Sequence, residues 1–271
     1  MNKAELVESA KQIRADVVQM IYDGKSGHPG GSLSIADILA ALYGKIMQHD
    51  PKNPEWEGRD RLVLSKGHAA PALYAALAQF GYFDAEILKS FRKFGSILQG
   101  HPDSKKVAGV EVSTGSLGQG LSLAAGMAWG FKQQGKDSRV YCILGDGEIE
   151  EGQVWEAAMA IPQFGLNNVT AILDYNNLQI DGTVPEIMDV APVDDKFRAF
   201  RWRVEVIDGH DMNAIVDTLQ RSKTSDQPTM IIAKTIKGKG VSYFEGKVSS
   251  HHIANMTDEI LEKALKEIGI A

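Results

Sequence analysis

Five short runs of apolar and β-branched residues constrain the fold of this 271-residue chain more than anything else in it: RLVLS (61–65), RVYCIL (139–144), VTAILD (169–174), RVEVI (203–207) and TMIIAKT (229–235). Between most of them lie stretches with helical spacing, including LGQGLSLAAGMAWGFKQQ (117–134), VWEAAMAIPQF (154–164) and AIVDTLQRS (214–222). Strands that alternate with helices are joined by crossovers, which make the strands parallel and cover both faces of the sheet. The expected fold class is therefore α/β, a mainly parallel sheet flanked by helices. No internal repeat, low-complexity tract or Pro/Gly-rich linker interrupts the chain, so residues 1–271 are read as one domain. A hydrophobic content of 44% suffices for a substantial core at this length. The closing TDEILEKALKEIGIA reads as a short amphipathic helix with Thr257 as N-cap.

The 29 basic and 35 acidic residues are spread along the chain and give a net charge of −6, so no basic stripe is available for a nucleic-acid backbone. Cys142 is the only cysteine and sits inside an apolar strand, which excludes an intrachain disulfide and a multi-cysteine metal site. That usage fits a reducing cytoplasm. The N-terminal MNKAELVESAKQIRADVVQMIYDG mixes charged and apolar residues at helical spacing, without the apolar core of a signal peptide. Nor does an 18-residue apolar span follow it, so no membrane association is expected.

The chemistry begins in GDGEIEEGQVWE (145–156), where five carboxylates fall within twelve residues directly after an apolar strand. Gly145, Gly147 and Gly152 between a strand and a helix suit a loop that meets a diphosphate at a helix N-terminus. Asp146 would repel that anion unless a divalent cation stood between them. Magnesium is the natural candidate, because it takes oxygen ligands and bridges protein groups to phosphates. VTAILD ends at Tyr175, Asn176 and Asn177, and loops after successive parallel strands emerge on one edge of the sheet. Asp146 and Asn176, thirty positions apart, can thus meet at one ion. Taken singly, Asp146 as a helix cap and Asn176–Asn177 as a turn need no ion.

GDGEIEEGQVWEAA followed by LDYNNLQIDG closely resembles the thiamine diphosphate motif in the form found in transketolases. The resemblance implies that Asp146, Asn176 and the Leu178 carbonyl hold Mg²⁺, and that Gly145, Gly147 and Ile180 lie against the cofactor. It also implies that Glu151 and Glu156 lie toward an interface between paired cofactor sites, leaving Glu148 and Glu150 for local capping or solvent. Four of the seven histidines follow a glycine, at His28, His68, His101 and His210, which lets a sharp turn present the ring from a loop. The words around three of them, KSGHPGGSLSIADILAALY, DRLVLSKGHAAPALYAAL and GHPD, followed by STGSLGQGLSLAAGMA, look like the opening half of a transketolase.

By that resemblance His28 and His101 face the sugar hydroxyls, Lys66 and His68 lie near the cofactor, and Gly115, Ser116 and Leu117 approach its aminopyrimidine side. TIKGKGVSYFEGKVSSHH resembles the segment that supplies a diphosphate-binding lysine, Lys237, and a catalytic histidine, His251. The family usually reads Trp-His-Gly there, whereas this chain reads Ser250-His251-His252, which puts the register and conformation of the loop in question. His210 matches no family role, and DGHD is expected to cap the helix that follows.

The activity implied is transfer of a two-carbon ketol unit from a ketose to an aldose, phosphorylated or not, as in the pentose phosphate pathway, with His28, His101 and His251 serving the proton movements. The resemblance spans the first of three transketolase domains. Nothing matches the pyrimidine-binding domain, which carries the cofactor-activating glutamate, the aromatic ring pocket and most phosphate-reading arginines. The implied partner is a separate C-terminal transketolase subunit, in an α2β2 heterotetramer. Rival readings are the α-subunit of a 2-oxo acid dehydrogenase, a nicotinamide oxidoreductase using Asp174 at the end of the third run, and a non-catalytic subunit that keeps the fold.

Overall fold

The computed structural model describes residues 1–270. In chain order the first elements are α1 (Lys3–Asp23), β1 (Ser26–Gly27), α2 (Pro29–Leu33), α3 (Ala36–Ala41), β2 (Arg61–Leu64), α4 (Ala70–Gln79), α5 (Gln119–Gln133) and β3 (Val140–Gly145). They are followed by α6 (Gly152–Gln163), β4 (Val169–Tyr175), α7 (Val184–Ile187), α8 (Val193–Ala199), β5 (Arg203–Asp208), α9 (Met212–Ser222), β6 (Thr229–Lys234), β7 (Ile253–Ala254) and α10 (Asp258–Ile268). All five expected strands form, and they make one sheet of order β2-β3-β4-β6-β5 in which every pairing is parallel. Register sets Gly145 beside Asp174 and Asp174 beside Ala233, so the strand ends that carry the acidic residues are level.

The strands read as continuous apolar runs because both faces are covered. Along β3, Tyr141 and Ile143 enter a core built with α1, α3, α4 and α9, while Val140, Cys142 and Leu144 enter a second core with α5, α6 and α8. Period-2 alternation therefore divides one strand between two cores. Edge strand β5 is the exception, with most of its residues partly exposed, as its RVEVID sequence requires. The C-terminal helix begins as expected, with the Thr257 Oγ1 accepting from the Ile260 N–H.

A small antiparallel clasp between β1 and β7 stands apart from the main sheet, pairing Ser26 with Ala254 and Gly27 with Ile253. It ties a turn near the start of the chain to a loop near its end. Among the described residues no helix is long and apolar enough to cross a membrane.

Candidate active site

Because the sheet is parallel, the loops after β2, β3, β4 and β6 leave from one edge, and a cavity of about 260 Å³ lies there. Asp146 follows β3. Its Oδ1 accepts from the Gly147 N–H at 2.9 Å and its Oδ2 from the Asn177 N–H. Asn177 presents that N–H from a left-handed backbone, φ +65°, which asparagine tolerates better than most residues. Burial, and then the Asp174 charge, pushes the Asp146 carboxyl up to about 7, against these two bonds and the Lys66 charge. Such a carboxyl is short of positive charge, which a bound cation supplies.

Asp174, fully buried at the end of β4, is already engaged by four donors. It accepts from Lys66 Nζ at 2.5 Å, Ser34 Oγ at 2.6 Å, Asn176 Nδ2 at 3.1 Å and the Thr235 hydroxyl. Burial drives its pKa upward, but the Lys66 charge and these hydrogen bonds outweigh it and hold the carboxyl below its ordinary value. Paired with a lysine and three further donors, it is not the free strand-end acid that a ribose hydroxyl needs, which removes the feature that favoured a nicotinamide cofactor. The bond from Nδ2 turns the Asn176 Oδ1 to the loop side, where it accepts from the Leu178 N–H at 3.2 Å.

Lys237 Nζ donates to the Leu178 carbonyl at 2.9 Å, and burial pushes this ammonium down to about 8. A cation thus already sits at the carbonyl assigned to the metal. Among the described residues no three His, Cys, Asp or Glu side chains converge to hold a metal by themselves. An ion held by one carboxylate, one amide oxygen and one backbone carbonyl would take its remaining ligands from water or phosphate oxygens. That donor set, with Lys66 and Lys237 beside it, fits magnesium and a diphosphate.

The other end of the cavity is imidazole. The His28 ring centroid lies 5.4 Å from that of His68, 6.4 Å from His101 and 5.3 Å from His251, and His68 is 5.2 Å from His251. Burial first, then neighbouring positive groups, pushes His28 down to about 3 and His251 down to about 4. His68 is driven well below its ordinary value and His101 is lowered, each chiefly by burial. Neutral imidazoles can each donate from one nitrogen and accept at the other. The clasp answers the register question: His251 lines the cavity, while His252 stands on its rim with Nε2 3.0 Å from Ser26 Oγ. His252 has extended backbone, φ −139° and ψ 137°, so a side chain in the place of glycine is not strained.

Of the sequence candidates, His28, His101, His251, Lys66, His68 and Lys237 all line this one cavity. So do Gly115, Leu117, Gly145, Asp146 and Gly147, together with Asn176, Leu178 and Ile180. Ser116, Glu151 and Glu156 lie outside the lining and are exposed on this chain. Gly31 and Gln179, which sequence reasoning missed, also line it, as do Asp174 and Glu148, which it had given other roles. Gly31 is legible in hindsight from the paired glycines of HPGG, since a Cβ there would come within 3.3 Å of His68 Nε2 and 3.4 Å of Lys66 Nζ.

One expectation needs correction. Glu148 is not at the solvent: it is 3% exposed and accepts from the Ser65 hydroxyl, from Gly118 N–H at 3.0 Å and from Gly145 N–H at 3.0 Å. Glu148 and Ile149 are both buried on the short turn after β3, and the ends of β2 and β3 and the start of α5 meet on the Glu148 carboxylate. DGHD caps α9 as expected, through the Asp211 side chain, which accepts from the Asn213 N–H. His210 Nδ1 lies 2.8 Å from Asp37 Oδ2, and its Nε2 accepts from the Ile236 N–H at 2.9 Å. It therefore fastens the loop that carries Lys237 to α3.

A level row of β-strand ends that brings a buried aspartate, two lysines and a ring of neutral histidines to one edge suits a diphosphate-binding domain, and the chain belongs to the transketolase family, as its thiamine diphosphate-binding domain. Residues 5–271 match the family described as "Transketolase, thiamine diphosphate binding domain". The chain is 46% identical over 265 residues to the 6-deoxy-6-sulfo-D-fructose transketolase subunit of Clostridium sp. (strain MSTE9), covering 97% of this chain and 96% of that subunit. It is 43% identical over 256 residues to an apulose-4-phosphate transketolase subunit of Phocaeicola vulgatus, covering 94% and 90%. Against human transketolase the identity is 41% over 270 residues, which is 97% of this chain but 42% of that protein. The crystal structure of Campylobacter jejuni transketolase superposes with a TM-score of 0.93 at 39% identity, over 99% of this chain and 43% of that one.

Proposed function

We propose that this chain is the N-terminal, cofactor-binding subunit of a split transketolase, a single domain that transfers a two-carbon ketol unit from a ketose to an aldose once a C-terminal subunit completes its site. The observation that carries this reading is the lining of the cavity, with a carboxylate, an amide and two lysines at one end and imidazoles at the other, on a chain that covers 96% and 90% of two subunit relatives. A reducing cytoplasm suits the buried free thiol of Cys142.

When bound, thiamine diphosphate supplies the nucleophilic carbon and the electron sink. Asp146, Asn176 and the Leu178 carbonyl would hold the magnesium ion, and Lys237, now on that carbonyl, would serve the phosphates. Lys66, locked by Asp174 and the Gly31 carbonyl at 2.7 Å, would contribute a fixed charge to them. Gly145 and Gly147 would leave room for the diphosphate, Gly115 and Leu117 would border the aminopyrimidine side, and Ile180, 62% exposed, is free to pack on the cofactor.

His28, His101 and His251 donate hydrogen bonds to sugar oxygens and carry protons between them and the reacting carbons. Such acid–base help is typically worth about 10²–10⁴-fold. The outward side of α5 and α6 exposes Leu123, Trp129, Met159 and Phe164 beside Glu151 and Glu156, which supports pairing of two such chains and an α2β2 assembly.

The test is to purify the chain, supply magnesium, thiamine diphosphate and a ketose–aldose pair, and measure transfer before and after adding a polypeptide of the pyrimidine-binding type. Turnover is expected only in the mixture. Robust turnover by the chain alone would overturn the split-enzyme reading.

A further inference from the structure

His210, which matches no family role, ends a row of polar groups that runs behind the loop after β6. Arg14 of α1 grips Asp37 of α3 with both terminal nitrogens, Nη1 to Oδ1 at 3.2 Å and Nη2 to Oδ2 at 2.5 Å, and His210 Nδ1 meets the same Oδ2 at 2.8 Å. Arg14 and Asp37 are both buried. Burial drives the Asp37 carboxyl upward, but the His210 hydrogen bond and the Arg14 charge outweigh it and hold the group below its ordinary value.

The protonation of the ring follows from its partners. A backbone N–H only donates, so Nε2, which accepts from the Ile236 N–H at 2.9 Å, carries no hydrogen. The ring is therefore neutral, with its proton on Nδ1, where the Asp37 carboxylate accepts it. Arg14 fixes Asp37 and Asp37 fixes the tautomer, so two helices aim one imidazole lone pair at one backbone amide.

That amide adjoins Lys237. The Thr235 N–H donates to the Tyr175 carbonyl at 3.1 Å and the Gly238 N–H to the Gly30 carbonyl at 2.9 Å, which pins the two sides of the turn to β4 and α2. Between them, among the described residues, the Ile236 N–H has His210 as its acceptor. Arg14 also backs the turn, since a Cβ on Gly240, φ +92°, would come within 3.3 Å of its Cδ. From here the Lys237 side chain enters the cavity, its Nζ 2.9 Å from the Leu178 carbonyl. An ammonium on a flexible four-carbon stem reaches only as accurately as its backbone is held.

We propose that His210 is a positioning residue for cofactor binding, a neutral imidazole braced by Asp37 and Arg14 that holds the Ile236 amide and so sets the backbone from which Lys237 reaches the diphosphate. This rests on the reading of the cavity as a thiamine diphosphate site and deepens it, giving a role to a histidine that stands outside the cavity lining.

Two substitutions separate the two ring nitrogens. Asparagine places its NH₂ where Nδ1 stands and can keep the bond to Asp37 but offers Ile236 no acceptor; glutamine carries its oxygen to the Nε2 position and can keep the bond to Ile236. In isothermal titration of the full chain with magnesium and thiamine diphosphate, His210→Asn is expected to raise Kd about fivefold, the loss of one hydrogen bond, and His210→Gln to stay within about twofold. In a Lys237→Met background His210→Asn should raise Kd no further, whereas a merely structural brace would add its full effect there. Equal losses from Asn and Gln, or an undiminished effect without Lys237, would overturn the proposal.

A second arm needs no cofactor. In ¹⁵N NMR of the free chain, His210 should show a neutral ring with its proton on Nδ1, and hydrogen exchange should show protection of the Ile236 amide lost in His210→Asn and kept in His210→Gln. A proton on Nε2, or protection indifferent to His210→Asn, would refute the brace. Failure of the wild-type chain to bind thiamine diphosphate, alone or with a polypeptide of the pyrimidine-binding type, would overturn the cofactor reading and this proposal together, whereas binding that ignores His210→Asn overturns this proposal alone.

Discussion

Glu148→Gln is expected to weaken the fold around the cofactor loop without touching a metal ligand. In the native chain the carboxylate takes hydrogen bonds from Ser65, Gly118 and Gly145, and Ser65 Oγ in turn accepts from Gly120 N–H at 3.1 Å, so the end of β2, the start of α5 and the end of β3 are tied through one side chain. Glutamine keeps an oxygen for Ser65 and Gly118, but its NH₂ replaces Oε2 and faces the Gly145 N–H, donor against donor. A buried donor left unsatisfied costs about 1–3 kcal/mol. The two remaining bonds lose their charge assistance, but the mutation also relieves the burial that raises the Glu148 pKa. The net expectation is a loss of about 2 kcal/mol, or a Tm lowered by roughly 4–8 °C for a chain of this size. Urea denaturation should show a lower midpoint with an unchanged m-value. A Glu148→Gln, Ser65→Ala cycle should give a coupling energy above about 0.5 kcal/mol. A single variant within about 0.5 kcal/mol of wild type, the range of ordinary surface changes, would refute the reasoning.

Asp146→Asn should lower magnesium-dependent thiamine diphosphate affinity by about one to two decades, since a charge-assisted contact is worth roughly 1.5–3 kcal/mol, whereas Glu148→Gln below its melting range should change it far less; isothermal titration of both checks this. Asn177→Ala should cost about 1 kcal/mol, because alanine lacks the short polar side chain that eases left-handed backbone in asparagine, and Asn177→Gly much less, as read by urea midpoints. In the complex, His251→Ala should depress kcat by about 10²–10⁴-fold with cofactor affinity retained; a larger kcat effect from His252→Ala would show that the wrong imidazole has been placed in the cavity. For pH, His28 is held at about 3 against 6.5 when unfolded. Between these values the unfolded chain binds a proton the folded chain lacks, so stability is full above the unfolded value and falls on acidification. His28→Gln should therefore flatten the slope of unfolding free energy between about pH 6 and 5 by somewhat less than one proton, the partial exposure of the ring reducing it; an unchanged slope counts against the burial.

Local chemistry made much of this protein legible from its residues alone. The apolar runs and the helical stretches between them specify a parallel sheet covered on both faces, and a parallel sheet sends the loops after β2, β3, β4 and β6 to one edge. The GDG, NN and GH words then name most of the groups that line the cavity there. What periodicity cannot carry is the partner each side chain finds across the fold. Asp174 reads as a free carboxylate at a strand end, yet Ser34 and Lys66, 140 and 108 residues away, neutralise it. Glu148 is one of five acids in a polar loop, and only the approach of Ser65 and Gly118 shows that it faces inward. His210 becomes a brace because α3 brings Asp37 to it, 173 positions along the chain. His251 and His252 are indistinguishable as a sequence pair; the antiparallel clasp of residues 26–27 with 253–254 decides which enters the cavity and which stays on the rim. Propensity and spacing are set by neighbours in the chain, whereas ionisation, tautomer and burial are set by neighbours in space, and those exist only once the two cores have packed.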